Sequence, residues 1–134
     1  MPSRRATSKP LQVRIAKRKF SVAPYSDSWH EYEAFENKRL VGRLICFEAP
    51  PESKDCWVHD VWVMETHRGK GLGAKLLQRA VTDARAHGYG RMLGAIRAYY
   101  SAGAAAVEHL FTSQGFSVAR EWEGTRSRMA VRVL

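Results

Sequence analysis

A glycine-rich turn between an apolar segment and an amphipathic one constrains the fold more than any other feature of the sequence. The turn occupies residues 63–73 and reads VMETHRGKGLG. Residues 57–64 are rich in β-branched and aromatic side chains, and residues 72–87 carry apolar side chains at helical spacing. The pattern therefore predicts a strand, a tight turn and a helix.

Three glycines in this turn, Gly69, Gly71 and Gly73, let the backbone fold tightly and let a ligand approach it closely. A turn that opens a helix presents free N–H groups at the positive end of the helix dipole, where phosphate and pyrophosphate bind. Arg68 and Lys70 add positive charge at the same place. The plain alternative is a strand-to-helix connection without a ligand.

The spacing of the turn does not fit two familiar nucleotide-binding loops well. A P-loop needs a Lys-Ser/Thr pair after its last glycine, and a dinucleotide fingerprint needs a glycine where Arg68 stands. The turn instead fits R/Q-x-x-G-x-G/A, with Arg68, Gly71 and Gly73 at the fixed positions. This closely resembles the acetyl-CoA pyrophosphate loop of the GNAT acyltransferase superfamily, and the pair Gly115-Phe116 resembles that family's later "GF". The resemblance runs from about Lys38 to the C-terminus.

The resemblance implies acetyl-CoA as acyl donor and a set of residues that bind it. Backbone N–H groups from Arg68 to Gly73, with the Arg68 side chain, would hold the pyrophosphate, and Leu72 is included on position alone. Backbone groups of Val63 and Met64 would bind the pantetheine arm. The implied coenzyme-binding residues are Val63, Met64, Arg68, Gly69, Lys70, Gly71, Leu72 and Gly73.

His59 is the candidate general base. It lies four residues before Val63, so strand alternation predicts that both face the same side, with Asp60 on the opposite one. An ordinary imidazole changes protonation near neutral pH, which suits a base. Family members that acylate arylalkylamines have a histidine at the same offset from the loop. The alternative is a half-buried strand histidine bonded to a neighbour. His67 is expected to touch phosphate or solvent.

The general acid is where the sequence departs from the family. Many members place a tyrosine four residues before the "GF" glycine, and Phe111 stands there; an asparagine seven residues earlier is replaced by Ala104. Tyr99 and Tyr100 are the candidate substitutes, although such a pair is more often packing or loop rim. A thiolate can also leave without a dedicated acid. The departure admits a protein that binds the coenzyme without turning it over.

The order of elements predicts an α/β fold with a mixed sheet, β-β-β-β-α-β-α-β-β, in one domain over residues 11–134. Strands are predicted at 11–16, 29–36, 39–48, 58–64, 91–98, 116–122 and 127–134, and helices at 72–87 and 102–114. Asn37-Lys38 is predicted as a hairpin turn, and Gly88 as the left-handed end of the first helix. The predicted buried side of that helix is Leu72, Leu76, Leu77, Ala80, Val81 and Ala84.

This order resembles the GNAT fold with one omission. The family normally inserts one or two helices between its first two strands, where they often wall the acceptor site, and here only about a dozen irregular residues are expected. The implied acceptor side is open, which suits a large or extended substrate. A partner subunit in a homodimer could fill the same gap.

The net charge of +9 is concentrated at the N-terminus. The first twenty residues contain seven basic side chains and no acidic one, while the rest carry 15 basic and 13 acidic side chains. A basic arm, disordered over residues 1–10, favours polyanions such as nucleic acid, although it could equally be a solvated tail. The seven cations are Arg4, Arg5, Lys9, Arg14, Lys17, Arg18 and Lys19.

The remaining composition narrows the class of protein. The apolar runs are too short to cross a bilayer, and no secretory signal is present, so a cytoplasmic protein is expected. The two cysteines form neither a disulfide framework nor a zinc site, so no bound metal is expected. The favoured interpretation is an N-acetyltransferase whose amine acceptor is macromolecular or anionic, such as a protein, a tRNA or a modified nucleobase. The alternatives are an acetyltransferase of small amines and a non-catalytic nucleic-acid-binding or regulatory protein.

Overall fold

The computed structural model describes residues 13–21, 28–48, 53–97, 103–120 and 128–134, without the side chains of 19–21, 28 and 48. The predicted arm at 1–10 lies outside the described residues, and so do Tyr99 and Tyr100. The predicted contact of Arg4, Arg5 and Lys9 with a polyanion therefore stays a prediction, and so does the predicted role of Tyr99 and Tyr100 as general acid.

Within the described part, seven strands form one sheet in the order β1-β2-β3-β4-β5-β7-β6. Strands β4 and β5 are parallel, and the other neighbours are antiparallel. This confirms the predicted α/β fold and its element order. The strands are β1 (Arg14–Ser21), β2 (Ser28–Glu36), β3 (Arg39–Glu48), β4 (Asp55–Val63), β5 (Arg91–Ala95), β6 (Ser117–Ala119) and β7 (Met129–Val133), and the helices are α1 (Leu72–Ala86) and α2 (Ala104–Ser113). Neither described helix is long and apolar enough to span a membrane.

The first strand lies further along the chain than predicted. β1 begins at Arg14 and pairs residue by residue with β2 up to Ser21 opposite Ser28. The pairing with β2 extends beyond the short apolar alternation at 11–16, on which the prediction depended. Six residues, 22–27, separate the two strands, which is too few for the helices that the family usually inserts there.

Helices α1 and α2 pack against one face of the sheet. Helix α1 buries the six predicted side chains, and α2 buries Val107 and Phe111. Gly42 on β3 makes room for the start of α1, because a Cβ there would lie 3.1 Å from Cδ2 of Leu72. Burial of a leucine side chain contributes about 1.5–3 kcal/mol, so this contact helps to fix where the helix begins.

Strands β4 and β5 pair over only four residues and then separate. Their last pair is Val58 with Gly94; beyond it β4 stays with β3, whereas β5 continues beside β7. The parting coincides with a β-bulge, since Ile45 pairs with Asp60 and Cys46 pairs with Val58, which leaves His59 as the extra residue. We call the opening beside residues 59–63 of β4 the fork.

The described cations of the basic N-terminal segment belong to the fold. Lys17 lies 3.4 Å from Asp83 in an ion pair, Arg18 pairs with Glu31, and Arg14 lies over the ring of Phe35. The charge that could remain for a polyanion is therefore that of Arg4, Arg5 and Lys9, which precede β1, and of Lys19, whose side chain lies outside the described part.

Lys17 is part of a polar cluster beneath β2. The hydroxyl of Tyr32 donates to Asp83 at 2.8 Å, and Arg79 lies 3.4 Å from the same carboxylate. Burial alone raises the pKa of Asp83, but the hydrogen bond from Tyr32 and the charges of Lys17 and Arg79 outweigh it and lower the pKa overall. Burial, together with this hydrogen bond, raises the pKa of Tyr32.

Candidate active site

The glycine turn forms an open concave surface at the start of α1. Gly69 and Gly71 have φ of 75° and 78°, a conformation that glycine adopts without strain. A Cβ on either residue would meet no atom within 4 Å, so the space above the turn is free. Gly73 differs: its Cβ would make ordinary contact with Leu110 at 3.6 Å, which agrees with a motif that allows alanine there.

The N–H groups of the turn are available to a ligand. The first backbone hydrogen bond into α1 runs from Lys75 N–H to the carbonyl of Gly71 at 3.0 Å. Among the described residues, no backbone carbonyl accepts from the N–H groups of 69–74. Arg68, Lys70 and Lys75 are exposed around them. The backbone N–H donors, the positive charge of the exposed basic residues and the lack of side chains on the glycines together fit a pyrophosphate.

Arg68 connects the turn to the end of β4. Its Nε donates a 3.1 Å hydrogen bond to the carbonyl of Val63, five residues earlier. The guanidinium therefore lies between the strand end and the turn, and contact of its remaining nitrogens with a pyrophosphate stays a prediction. The bond also fixes the orientation of the last peptide of β4 at the mouth of the fork.

His67 anchors the turn from below, and its predicted contact with phosphate or solvent is wrong. A 3₁₀ helix, Glu65–His67, turns its ring inward, where Nε2 lies 3.0 Å from Oε1 of Glu36 and Nδ1 lies 2.8 Å from the Thr66 hydroxyl. A carboxylate only accepts, so Nε2–H donates to Glu36. Glu36 ends β2, 31 positions earlier, and no local spacing could indicate this contact.

The backbone groups that face the fork differ from those predicted. Met64 was expected to bind the coenzyme, but its N–H donates to Val41 and its carbonyl accepts from His67 N–H, both at 2.8 Å. Because the hydrogen bond joins Met64 to β3, alternation turns the backbone of Val63 and Val61 away from β3 and into the fork. Val61 is thus a candidate that the sequence analysis missed; counting back two residues from Val63 would have found it.

The side chain of His59 faces away from the helices. Its ring is exposed and lies edge-on to Trp29, with ring centres 5.0 Å apart. Val61 and Val63 pair with Leu44 and Gly42, on the helix side of the sheet. The predicted shared face of His59 and Val63 is therefore wrong, because the bulge at His59 interrupts the alternation. The catalytic role of His59 stays a prediction.

The same bulge changes the expectation for Asp60. Asp60 pairs with Ile45, whose neighbour Leu44 is buried towards the helices. Ile45 and Asp60 therefore lie on the face that carries Trp29 and His59. The prediction that His59 and Asp60 point in opposite directions does not hold at this position.

Phe111, at the position of the family's tyrosine, is fully buried against the fork. A Cβ on Gly94 would overlap its Cζ and lie 2.8 Å from its Cε1, and its ring packs at 5.0 Å from that of Phe116. Phe111 has no proton to donate.

A polar side chain that the sequence analysis missed lies at the same fork: Arg97 Nη2 donates to the carbonyl of His59 at 3.3 Å.

Within the described residues, no three His, Cys, Asp or Glu side chains are grouped so that they could hold a metal ion. Cys46 and Cys56 are both buried and form no disulfide.

A mixed sheet that forks beside a glycine-rich helix start is the scaffold of an acyl-CoA N-acyltransferase. The sequence model of the acetyltransferase (GNAT) family matches residues 5–116, and the chain belongs to this family. The family generally uses acetyl-CoA. No curated protein matches the sequence.

Solved structures share the fold at low sequence identity. An IAA acetyltransferase from Bacillus cereus ATCC 14579 is 20% identical with a TM-score of 0.63, over 79% of this chain and 78% of that one. An acetyltransferase from Thermus thermophilus is 24% identical with a TM-score of 0.65, over 84% and 67%. The PaiA N-acetyltransferase from Thermoplasma acidophilum, in complex with coenzyme A, is 13% identical with a TM-score of 0.63, over 78% and 60%. These likenesses establish the fold.

Proposed function

We propose that this chain is an acetyl-CoA-dependent N-acetyltransferase that acts on a primary amine. The observation that supports this most strongly is the continuity of two binding surfaces. The free N–H groups of 69–74 and the fork-facing backbone of β4 meet at Val63, where Arg68 holds them together. A coenzyme with a pyrophosphate at one end and an extended amide-bearing arm at the other matches this shape.

Each residue has a distinct role in this proposal. The turn amides bind the pyrophosphate, and the backbone of Val61 and Val63 orients the pantetheine arm by strand-like hydrogen bonds. His59 takes the proton of the amine. Bound acetyl-CoA would supply the acetyl group and a thiolate leaving group.

The acceptor is proposed to be macromolecular or anionic. Two features support this: the short connection of six residues between β1 and β2, and the basic residues that precede β1. Because Arg14, Lys17 and Arg18 have partners within the fold, the polyanion contact is assigned to Arg4, Arg5, Lys9 and Lys19. Deletion of residues 1–10 should weaken transfer to a polyanionic acceptor and flatten its salt dependence, with coenzyme binding unchanged.

Thiol release tests the activity. The protein is incubated with acetyl-CoA and, separately, with a small amine, a lysine-bearing peptide or tRNA, and both the free thiol and the acetylated product are measured. Product formation with the peptide or tRNA supports the proposal, and product with the small amine alone supports the small-amine alternative. Coenzyme binding without product from any acceptor would support the non-catalytic alternative, which the buried Phe111 allows.

A further inference from the structure

A guanidinium lies at the closed end of the fork. Arg97 follows β5 by two residues, and its Nη2 donates to the carbonyl of His59 at 3.3 Å. His59 comes directly after Val58, which with Gly94 forms the last pair between β4 and β5. Arg97 therefore spans the two strands where they begin to part.

The sulfur of a bound coenzyme would lie towards this end. The turn amides are at the opposite end of the fork, beyond Val63. Residues 59–63 of β4 extend over about 13 Å, at roughly 3.3 Å per residue. An arm that starts at the pyrophosphate and runs along Val63 and Val61 is directed at His59 and Arg97. Arg68 and Lys70 remain at the pyrophosphate end.

A positive group near the sulfur would assist the reaction. Transfer forms the C–N bond of the new amide and breaks the C–S bond, whose electron pair stays on sulfur. The proton of the amine passes to the general base, for which His59 is the candidate. Phe111 cannot protonate the sulfur, and Tyr99 and Tyr100, the candidate substitutes, lie outside the described residues. Without a proton donor the sulfur departs as a thiolate, which a neighbouring arginine favours over a thiol.

We propose that Arg97 is a catalytic residue that stabilises the departing thiolate in place of a proton from the position that Phe111 occupies. This inference rests on the proposed function. After transfer, the thiolate leaves with the coenzyme and takes a proton from solvent. Arg97 therefore replaces proton transfer by charge pairing, from a position just after β5 and not from α2.

The affinity of the product, free coenzyme A, tests the proposal without turnover. Calorimetric titrations of coenzyme A and of desulfo-coenzyme A, which lacks the thiol, are compared between pH 6 and pH 9. A free thiol has a pKa of about 8.5. If Arg97 lowers it in the complex, coenzyme A binding strengthens as the pH rises towards this value, by about tenfold per unit of lowering. The desulfo analogue shows no such rise.

Three variants complete the test. Arg97→Gln should abolish the rise with pH, Arg97→Lys should retain part of it, and Arg85→Gln, which removes an exposed charge from α1, should leave it unchanged. The ultraviolet absorbance of the bound thiolate should decrease in Arg97→Gln at the same pH. Circular dichroism and calorimetric stoichiometry verify that the variants are folded.

The outcomes separate this inference from the function on which it rests. A rise with pH in the parent protein that is lost in Arg97→Gln supports the proposal. Equal pH dependence in both proteins overturns it and leaves the acetyltransferase assignment intact, as does an Arg97→Gln variant that changes only the KM of an anionic acceptor. Failure of the parent protein to bind either coenzyme form overturns the proposed function and the role of Arg97 together.

Discussion

The ring of Phe111 occupies the space directly over Gly94, the last residue of β5 that pairs with β4. The contact joins helix α2 to the closed end of the fork, since a Cβ at Gly94 would lie 2.8 Å from Phe111 Cε1. The fork is thus supported by a glycine on the sheet and an aromatic ring on the helix, and neither can change size alone.

Gly94→Ala should therefore destabilise the protein by about 1–3 kcal/mol, the usual cost of overpacking a core. The free energy of unfolding is measured by denaturant titration. Phe111→Leu should remove part of the overlap, so the double variant should be more stable than the sum of the two single effects predicts. Strict additivity, or a Gly94→Ala variant as stable as the parent, would contradict this packing.

The link between His67 and Glu36 should control how firmly the turn is held. His67→Ala removes a buried ring and leaves the partly exposed Glu36 carboxylate without its donor, so we expect a loss of about 1 kcal/mol in stability and weaker acetyl-CoA binding. Glu36→Gln is the matched control, because its amide oxygen still accepts from Nε2–H, whereas Glu36→Ala cannot. Unaltered coenzyme affinity in His67→Ala, measured well below its melting temperature, would show that the link does not position the turn.

The Tyr32–Asp83 hydrogen bond should appear in the pH dependence of stability. The lowered pKa of Asp83 stabilises the fold above its ordinary value of 3.8, and this contribution is lost as the pH falls through the lower folded value. The raised pKa of Tyr32 acts in the other direction, and its contribution is lost as the pH rises above the ordinary value of 10.0.

Tyr32→Phe should accordingly cost about 1 kcal/mol near neutral pH and flatten the stability curve at both extremes. Chemical denaturation of parent and variant over the full pH range measures both effects. Parallel curves, offset by a constant amount, would mean that the hydrogen bond does not couple to either titration.

His59→Gln should lower turnover by about a hundredfold, the lower range for loss of a general base, with little change in coenzyme binding. His109→Gln, an exposed change on α2, serves as the control. Unchanged turnover at saturating substrate would exclude His59 from proton transfer.

Local features of the fold could be predicted from the sequence. The apolar side of α1, the hairpin turn at Asn37 with φ of 58°, and the left-handed Gly88 with φ of 84° depend on neighbours in the chain. Helical spacing and turn chemistry act within a few residues, and for that reason they are readable without a structure. The glycine turn belongs to the same group, since its conformation follows from Gly69 and Gly71.

The errors concern contacts between strands. The bulge at His59 depends on the pairing of β3 with β4, and it alone reverses the expected relation of His59 to Val63 and Asp60. The hydrogen bond from Met64 to Val41 and the hydrogen bond from His67 to Glu36 each join residues that are far apart in the sequence. Arg97 was missed because nothing in its own neighbourhood shows that it returns to His59.

The central claim is that the amides of 69–74 bind the pyrophosphate of acetyl-CoA, and a matched pair of glycine variants tests it by calorimetry. Gly71 and Gly88 have φ of 78° and 84°, and a Cβ on either meets no atom within 4 Å. Asparagine tolerates this conformation, so both substitutions carry a similar strain. The account predicts that the parent and Gly88→Asn bind acetyl-CoA alike, whereas Gly71→Asn binds more than about tenfold more weakly, a difference of about 1.4 kcal/mol. Equal binding by Gly71→Asn, or no binding by the parent, would contradict it.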